Sequence, residues 1–185
     1  MAANFSNAFN HLLDTLLNLY MAALILRILL QWLRAEFHNP FSQFIWRVTN
    51  PPVLTLARFV PKWRRLDLAA CIVLLLLSLL TIYAGAWMWR RPLELGDALW
   101  WALLKLLWVA INLYTLTLVV QWLLVWFGPG ISSPAGSVLY VINEPLLRPV
   151  RRRIPPVSGF DLSPLIVMLA LQFVMQLLGL PSWFQ

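Results

Sequence analysis

The chain has 185 residues, of which 61% are apolar and only 11% are charged, and its mean hydropathy is +0.76. This composition excludes an ordinary soluble domain and indicates an integral membrane protein. The formal net charge is +7. Binding to anionic lipid explains this charge more simply than binding to nucleic acid, because the sequence contains no recognisable nucleic-acid-binding module.

Four segments are long and apolar enough to cross a bilayer as helices: roughly residues 8–33, 67–89, 98–127 and 161–180. Their apolar runs are continuous, which favours helices over the alternating strands of a membrane β-barrel. The first segment is predicted to be a retained span and not a signal peptide, because no Lys or Arg precedes Arg27 and no small-residue cleavage site follows. The predicted fold class is an all-α membrane protein with four transmembrane helices.

An internal duplication organises these spans. Residues 18–77 align with residues 112–171 without a gap, at an offset of 94, and seventeen of the sixty aligned positions are identical. The identities include an Asn-Leu-Tyr triplet, a Trp, three prolines and an Asp, which indicates a true repeat. We therefore predict a first repeat over residues 1–89, a connector over 90–97 and a second repeat over 98–185.

The number of spans in each repeat predicts the topology. Two crossings return the chain to its starting side, so both repeats have the same orientation and are related by a pseudo-twofold axis along the membrane normal. Ten of the fourteen basic side chains lie in the two loops inside the repeats. The positive-inside rule places these loops in the cytoplasm and both termini on the outer side, against only Arg90 and Arg91 in the connector.

The loops inside the repeats carry amphipathic segments over residues 39–61 and 133–155. An Asn-Pro pair opens the first and a Ser-Pro pair opens the second, and each pair is typical of a helix start. Pro51 and Pro145 are predicted to end these helices and to begin second short ones. Segments with one apolar face, an aromatic residue and arginines are expected to lie in the cytoplasmic headgroup layer, against anionic lipid.

These loops resemble the duplicated signature of the YggT family, called YlmG in Gram-positive bacteria and chloroplasts. The matching stretches are Asn39-Pro-Phe-Ser-Gln-Phe44, Val48-Thr-Asn-Pro51, and the run from Glu144 to Pro155 followed by Gly159-Phe-Asp-Leu-Ser-Pro164. The resemblance covers nearly the whole chain and includes the two-repeat layout of the proteobacterial members. It implies a protein of the bacterial inner membrane without established biochemistry. Bacterial relatives are associated with tolerance of osmotic shock and with a division-gene neighbourhood, and plastid relatives with nucleoid organisation and cytochrome assembly.

Polar residues at and inside the spans are the first candidate sites. Asp67 and Asp161 open the second span of each repeat, where a carboxylate either caps the helix or binds a proton or cation, and the cap is favoured. Asn18 and Asn112 are predicted to bond between helices, with a bond to each other as one arrangement and a substrate contact as the alternative. Arg27, whose repeat partner is glutamine, is either a paired or snorkelling structural residue or a functional one.

Basic side chains of the loops are the candidate residues for binding lipid or a partner. They are Arg58, Lys62, Arg64, Arg65, Arg148, Arg151, Arg152 and Arg153. The denser cluster lies in the second repeat, because the first has Leu54-Thr55 and Ala57-Arg58-Phe59 at the corresponding positions. A topogenic anchor is the simplest interpretation, and a lipid patch and a protein-docking motif are the alternatives.

Catalysis finds little support in the sequence. His11 and His38 have no metal-ligand spacing with carboxylates or with Cys71, the single cysteine. No phosphate loop, nucleophile elbow or dinucleotide fingerprint is present. We therefore expect no enzymatic activity, metal or cofactor.

The predicted function is that of a non-enzymatic inner-membrane factor that organises the membrane or docks partners through its basic cytoplasmic segments. The resemblance links this role to osmotic-stress tolerance or to envelope and division processes. Anionic lipids and membrane or cytoplasmic proteins are the expected partners, a homo-oligomer is one further arrangement, and no nucleic acid is expected. The alternative function is an oligomeric channel or transporter for an ion or small osmolyte, with the polar residues of the spans lining the pathway.

Overall fold

The computed structural model describes residues 2–35, 38–60, 66–88, 90, 92–127, 133–154 and 161–179. These residues form six α-helices, in agreement with the all-α prediction. The helices are α1 (Ala2–Trp32), α2 (Pro40–Ala57), α3 (Leu68–Met88), α4 (Leu95–Phe127), α5 (Pro134–Arg151) and α6 (Ser163–Leu177).

Three of the helices are long and apolar enough to cross a membrane: the Ala8–Trp32 part of α1, all of α3, and the Leu95–Val125 part of α4. Helix α6 is apolar but has 15 residues and is therefore about 22 Å long, shorter than a hydrocarbon core of about 30 Å. The fourth predicted span also extends to residue 180, outside the described part of the chain. Four spans in two parallel repeats, and the repeat boundaries, accordingly stay predictions.

The predicted helix ends at Pro51 and Pro145 are wrong, because α2 and α5 each run for 18 residues through two internal prolines. A proline inside a helix leaves the carbonyl four residues earlier without its N–H donor. In α2 the carbonyl of Val48 loses the donor that Pro52 lacks, and the Tyr20 hydroxyl of α1 donates to it at 3.4 Å. Packing against a neighbouring helix thus supplies a partner where the helix cannot, as in membrane helices generally.

The predicted helix starts agree with the structure. Asn39 precedes Pro40 in an extended conformation, and its Oδ1 accepts a hydrogen bond from the backbone N–H of Phe41 at 2.9 Å. Ser133 caps α5 in the same way, with its Oγ accepting from the backbone N–H of Gly136 at 2.9 Å. The amide Nδ2 of Asn39 also donates to the carbonyl of Pro134 at 2.6 Å, so this cap joins α2 to α5.

Helices of both repeats share one core. Its largest cluster combines residues of α1, α2, α3 and α4, among them Met21, Leu24, Val53, Ala70 and Val109. Helices α3 and α4 approach closely enough for the Ser78 hydroxyl to donate to the carbonyl of Ala102 at 2.8 Å, which small side chains permit. Helix α2 packs on α1, α3 and α5, and α5 packs on α4, α6 and α2. The two proline-containing helices therefore lie side by side, each held by the helices of its own repeat.

Candidate functional site

Arg27 is the centre of a buried polar cluster in the first repeat, with only 2% of its surface exposed. Its Nε and Nη2 donate to Oδ2 of Asp67 at 3.2 and 3.0 Å. Its Nη1 donates to Oγ1 of Thr49 at 3.0 Å and to Oδ1 of Asn50 at 2.8 Å. The guanidinium carbon lies 4.1 Å from the centroid of the Trp46 ring, within the range of a cation–π contact. One side chain of α1 therefore contacts both α2 and the start of α3.

Asp67 uses its two carboxylate oxygens for different partners. Oδ1 accepts a hydrogen bond from the backbone N–H of Ala70 at 3.2 Å, in the first turn of α3, while Oδ2 pairs with Arg27. A carboxylate at a helix N-terminus is stabilised by the free N–H groups and by the helix dipole. The same contacts place a negative charge beside the buried guanidinium, which would otherwise be costly to keep in an apolar environment.

A cavity of about 280 Å³ adjoins this cluster. Its polar lining comes from the side chains of the cluster and from Gln31, whose Oε1 is buried and has no hydrogen-bond partner among the described residues. The rest of the lining is mostly apolar and consists of Val53, Leu54, Ala57, Val60, Leu68 and Ala69. The first repeat therefore contains a partly enclosed space with one apolar side and one polar side.

The second repeat has an uncharged cluster at the same register. Gln121 and Asn143 are the repeat partners of Arg27 and Thr49, and the Asn143 amide Nδ2 donates to Oε1 of Gln121 at 2.7 Å. Oδ1 of Asn143 in turn accepts from the Thr117 hydroxyl at 2.9 Å. All three side chains are buried. A polar contact between the first span of a repeat and its proline-containing helix is thus present in both repeats.

The arginine of the second repeat comes from the end of α5. Arg151 donates through Nε to Oδ2 of Asp161 at 2.8 Å and through Nη1 to Oε2 of Glu144 at 2.9 Å. About a third of each of these side chains is exposed: 31% for Arg151, 38% for Asp161 and 31% for Glu144. Oδ1 of Asp161 accepts from the backbone N–H of Ser163 at 2.9 Å, just as Asp67 does with its own helix. Partial burial acts to raise the pKa of Asp161, but the hydrogen bonds from Ser163 and Arg151 outweigh it, so this pKa lies below the ordinary value.

The other predicted basic residues that the structure describes lie at two helix ends. Arg58, Arg148, Arg152 and Arg153 are exposed at or near the C-terminal ends of α2 and α5. The predicted candidates Lys62, Arg64 and Arg65 lie outside the described residues. The structure therefore separates Arg151, which is held in ion pairs, from its solvent-exposed neighbours.

The two intramembrane asparagines do not hydrogen-bond to each other. The Nδ2 of Asn112 donates to the carbonyl of Trp108 one turn earlier in α4, at 2.9 Å, and lies 3.9 Å from the Met175 sulfur of α6. The Oδ1 of Asn18 is buried without a hydrogen-bond partner in the described part of the chain. The predicted bond between the two asparagines is therefore wrong, and Asn112 instead contacts a carbonyl of its own helix and the Met175 sulfur of α6.

Sequence reasoning overlooked the partners that α2 and α5 supply. Thr49-Asn50 and Asn143-Glu144 each stand directly before the repeated proline, at equal register in the two repeats. Two polar residues before the same proline in both repeats were the available signal for a buried contact. Across the described residues, no group of three or more His, Cys, Asp or Glu side chains could hold a metal ion.

Comparison with known proteins identifies the family. The profile of the CCB3/YggT family matches the chain twice, over residues 6–88 and 100–182. The chain is 36% identical over 189 residues to the "Uncharacterized protein in proC 3'region" of Vibrio alginolyticus, covering 97% of this chain and 99% of that relative. It is 34% identical over 177 residues to the "Uncharacterized protein YggT" of Escherichia coli K12, covering 91% and 87% of the two chains.

A third relative, the "Uncharacterized protein PA0392" of Pseudomonas aeruginosa, is 33% identical over 166 residues, which cover 89% of this chain and 84% of that protein. No solved structure matches the chain. Two tandem profile matches and relatives similar over most of their length lead to one conclusion: the chain belongs to the CCB3/YggT family.

Proposed function

We propose that this protein is a non-enzymatic membrane factor in which α2 and α5 form a basic platform that organises anionic lipid and docks partners at the inner face of the plasma membrane. The observation that carries the proposal is the surface of these two helices. Exposed arginines stand beside exposed large apolar side chains, as in Arg47 and Val48, Arg58 and Phe59, and Arg153 and Ile154. Such pairs suit the boundary between headgroups and acyl chains.

Each arginine on this platform would add to the free energy of binding anionic headgroups. A basic side chain near a negatively charged leaflet contributes about 1 kcal/mol. The five exposed arginines of the platform are Arg47, Arg58, Arg148, Arg152 and Arg153. Phe59, which is 82% exposed, would add the burial of an aromatic ring in the interfacial layer.

The buried clusters support the same function by fixing the platform to the spans. Arg27 holds α2 through Thr49 and Asn50, and Gln121 holds α5 through Asn143. The cap of α2 then joins the two helices through Asn39. A platform held at three such points presents its exposed side chains in a constant arrangement.

Transport is supported less well by these contacts. Arg27, Asp67 and Asn112 are among the polar groups that a pathway through the spans would use, and each already has a hydrogen-bond partner within the protein. Flux measurements in liposomes separate the two functions. We expect no selective flux of ions or small osmolytes, whereas robust flux abolished by Asn112→Leu would favour a channel or transporter and contradict the platform.

The platform itself is tested by lipid retention. The purified protein is reconstituted in nanodiscs that contain phosphatidylglycerol and phosphatidylethanolamine, released into mild detergent, and examined by native mass spectrometry. Replacing Arg148, Arg152 and Arg153 by Gln should lower the retained phosphatidylglycerol several-fold. Arg90→Gln is the matched control, because Arg90 is also exposed but lies beyond α3, away from the platform. Equal loss in both proteins, or none in either, would reject the platform.

A link to osmotic stress or to envelope and division processes is tested in cells. A strain that lacks the protein is complemented with the wild type or with the triple Gln variant, and survival after osmotic downshock and cell length are measured. We expect the triple variant to fail where the Arg90→Gln control succeeds. Full complementation by the triple variant would separate the platform from these processes.

A further inference from the structure

The contacts between α1 and α3 indicate how deep each residue of α1 lies. At one end, Nδ2 of Asn10 donates to the sulfur of Met88, the last residue of α3, at 3.0 Å. At the other end, Arg27 pairs with Asp67, which directly precedes α3. Helix α3 has 21 residues and is about 32 Å long, which matches a hydrocarbon core of about 30 Å. The part of α1 between Asn10 and Arg27 therefore lies within the depth that α3 spans.

Three exposed polar side chains lie on this part of α1, near its Asn10 end. They are His11, Asp14 and Thr15. Positions i, i+3 and i+4 share one face of a helix, so the three side chains form a single surface, here called the α1 patch. Asp14 is four residues from Asn10, or about 6 Å deeper. Charged groups at such depths rarely face lipid and usually pair with one another.

The α1 patch has hydrogen-bonding groups that the described residues do not use. The Thr15 hydroxyl donates to the carbonyl of His11 at 2.7 Å and lies 3.4 Å from Nδ1 of the same residue. Nε2 of His11 and the carboxylate of Asp14 have no hydrogen-bond partner in the part of the chain that the structure describes. The charge of Asp14 acts on Lys105 of α4, but that side chain is buried, with its ammonium 4.9 Å from the centroid of the Trp108 ring. The acyl chains of lipid offer no partner to an exposed imidazole and carboxylate.

We propose that the α1 patch is the interface between two copies of this protein in the membrane, with His11 of each copy bonded to Asp14 of the other. Copies of one chain insert in the same orientation, so their α1 helices are parallel and related by a twofold axis along the membrane normal. Such an interface must be self-complementary, and a patch that carries both an imidazole and a carboxylate satisfies this condition. The two residues differ in height by about 4.5 Å, which an imidazole side chain can bridge between helices packed about 8–10 Å apart.

The surroundings of the α1 patch suit a second helix. Ala8 and Thr15 are exposed and lie two turns apart, and small side chains of this kind let membrane helices approach closely. Leu12, Leu16 and Leu19 are each more than half exposed on the adjoining face and would pack against the partner. The interface involves neither α2 nor α5, so it goes beyond the proposed platform and does not depend on it.

Disulfide trapping in membranes tests the interface. Cys71→Ala removes the single cysteine of the full chain, and Thr15→Cys then places one thiol in the α1 patch. Mild oxidation should convert most of this protein to a covalent dimer. Tyr83→Cys is the matched control, because Tyr83 is also exposed and lies five residues before Met88, just as Thr15 lies five residues after Asn10. Equal yields at the two positions would show random collision and would overturn the proposal.

Exchanging the charges tests the pairing itself. His11→Asp gives a patch with two carboxylates, and Asp14→His gives a patch with two imidazoles. Each variant alone should dimerise about tenfold more weakly than the wild type, because two contacts are lost and each contributes a factor of about three in membranes. Energy transfer between labelled copies in liposomes, over a range of protein-to-lipid ratios, measures the dissociation constant.

Mixing the two variants provides the rescue. Each carboxylate of one copy then faces an imidazole of the other, so the heterodimer should recover the affinity of the wild type. Rescue excludes a folding defect as the cause of the loss, and circular dichroism of each variant alone should show unchanged helix content. A heterodimer no tighter than the two homodimers would overturn the proposal, as would a wild-type protein that stays monomeric at every ratio. Full dimerisation of both single variants would place the contact on another surface and reject it as well.

Discussion

Each repeat has an aspartate at the same register, but the arginine that pairs with it comes from a different helix in each repeat. In the first repeat Asp67 pairs with Arg27 of α1, while the α2 position equivalent to Arg151 is Ala57, one of the residues that line the cavity. In the second, Asp161 pairs with Arg151 of α5, and the position equivalent to Arg27 is a glutamine. Each repeat thus has one arginine at these two positions, and the position of that arginine decides whether the ion pair is buried or partly exposed.

The difference has an energetic consequence. A buried pair depends on both partners, because removing one leaves an unpaired charge in an apolar environment. An exposed pair contributes little, since water and salt screen it. In the first repeat the charge is therefore buried and connects helices, whereas in the second repeat it is partly exposed at the end of α5 and the buried cluster is neutral.

The largest expected effect is that of Arg27→Leu. This change leaves the Asp67 carboxylate without its charge partner and Asn50 without its donor, and it should lower the free energy of unfolding by about 3–5 kcal/mol. Unfolding in mixed micelles of increasing SDS content, followed by circular dichroism, measures it. A loss below about 1 kcal/mol would show that the buried pair stabilises no more than a surface pair does.

A smaller effect is expected for Asn143→Leu in the neutral cluster. The change leaves the buried Oε1 of Gln121 without its donor, at a cost of about 1–3 kcal/mol, while the hydroxyl of Thr117 can still donate to the carbonyl of Tyr114. The same SDS titration measures it, with Asn18→Leu as the control, because Oδ1 of Asn18 has no partner among the described residues to lose. If Asn18→Leu lowers the free energy of unfolding as much as Asn143→Leu does, the loss comes from replacing any buried asparagine and not from breaking the Gln121–Asn143 contact.

Exchanging the arginine position tests the comparison directly. Arg27→Gln combined with Ala57→Arg gives the first repeat the residues of the second. We expect the double variant to recover about 1–2 kcal/mol of what Arg27→Gln alone loses, the coupling typical of residues in contact. Additive effects of the two changes would show that Asp67 cannot be reached from position 57.

The smallest expected effect is that of Arg151→Gln. Its pairs with Asp161 and Glu144 are about a third exposed, so the loss should be at most about 1 kcal/mol. The loss should shrink further at high ionic strength, where exposed pairs are screened. A salt-independent loss as large as that of Arg27→Leu would remove the distinction between the repeats.

Much of the fold could be predicted because its signals are local. The apolar runs that became α1, α3 and α4 depend on length and composition alone, and the Asn39-Pro40 cap acts within one helical turn. The prolines misled the prediction for the opposite reason. At Pro52, for example, the freed carbonyl of Val48 accepts a hydrogen bond from Tyr20, 28 positions earlier in the chain, and no local pattern indicates that contact.

The candidate site could be predicted only in part. Arg27 was recognisable as a charge within a predicted span, and Asp67 as a carboxylate before one. Their separation of 40 residues along the chain gives no indication that the two side chains form an ion pair. Thr49, Asn50 and Asn143 passed unnoticed because polar residues before a proline are ordinary in a loop, and become unusual only when the helix continues through the proline.

By itself the sequence determined that the chain is duplicated, that its repeats match the CCB3/YggT family, and approximately where the long apolar helices α1, α3 and α4 lie. Helix length, apolar composition and capping within a turn are properties of residues that are close together in the chain. Only the tertiary structure decided which arginine pairs with which aspartate, and that Ala57 lines a cavity beside Asp67. Those outcomes depend on side chains brought together from three helices, where the volume of one residue decides what space remains for another.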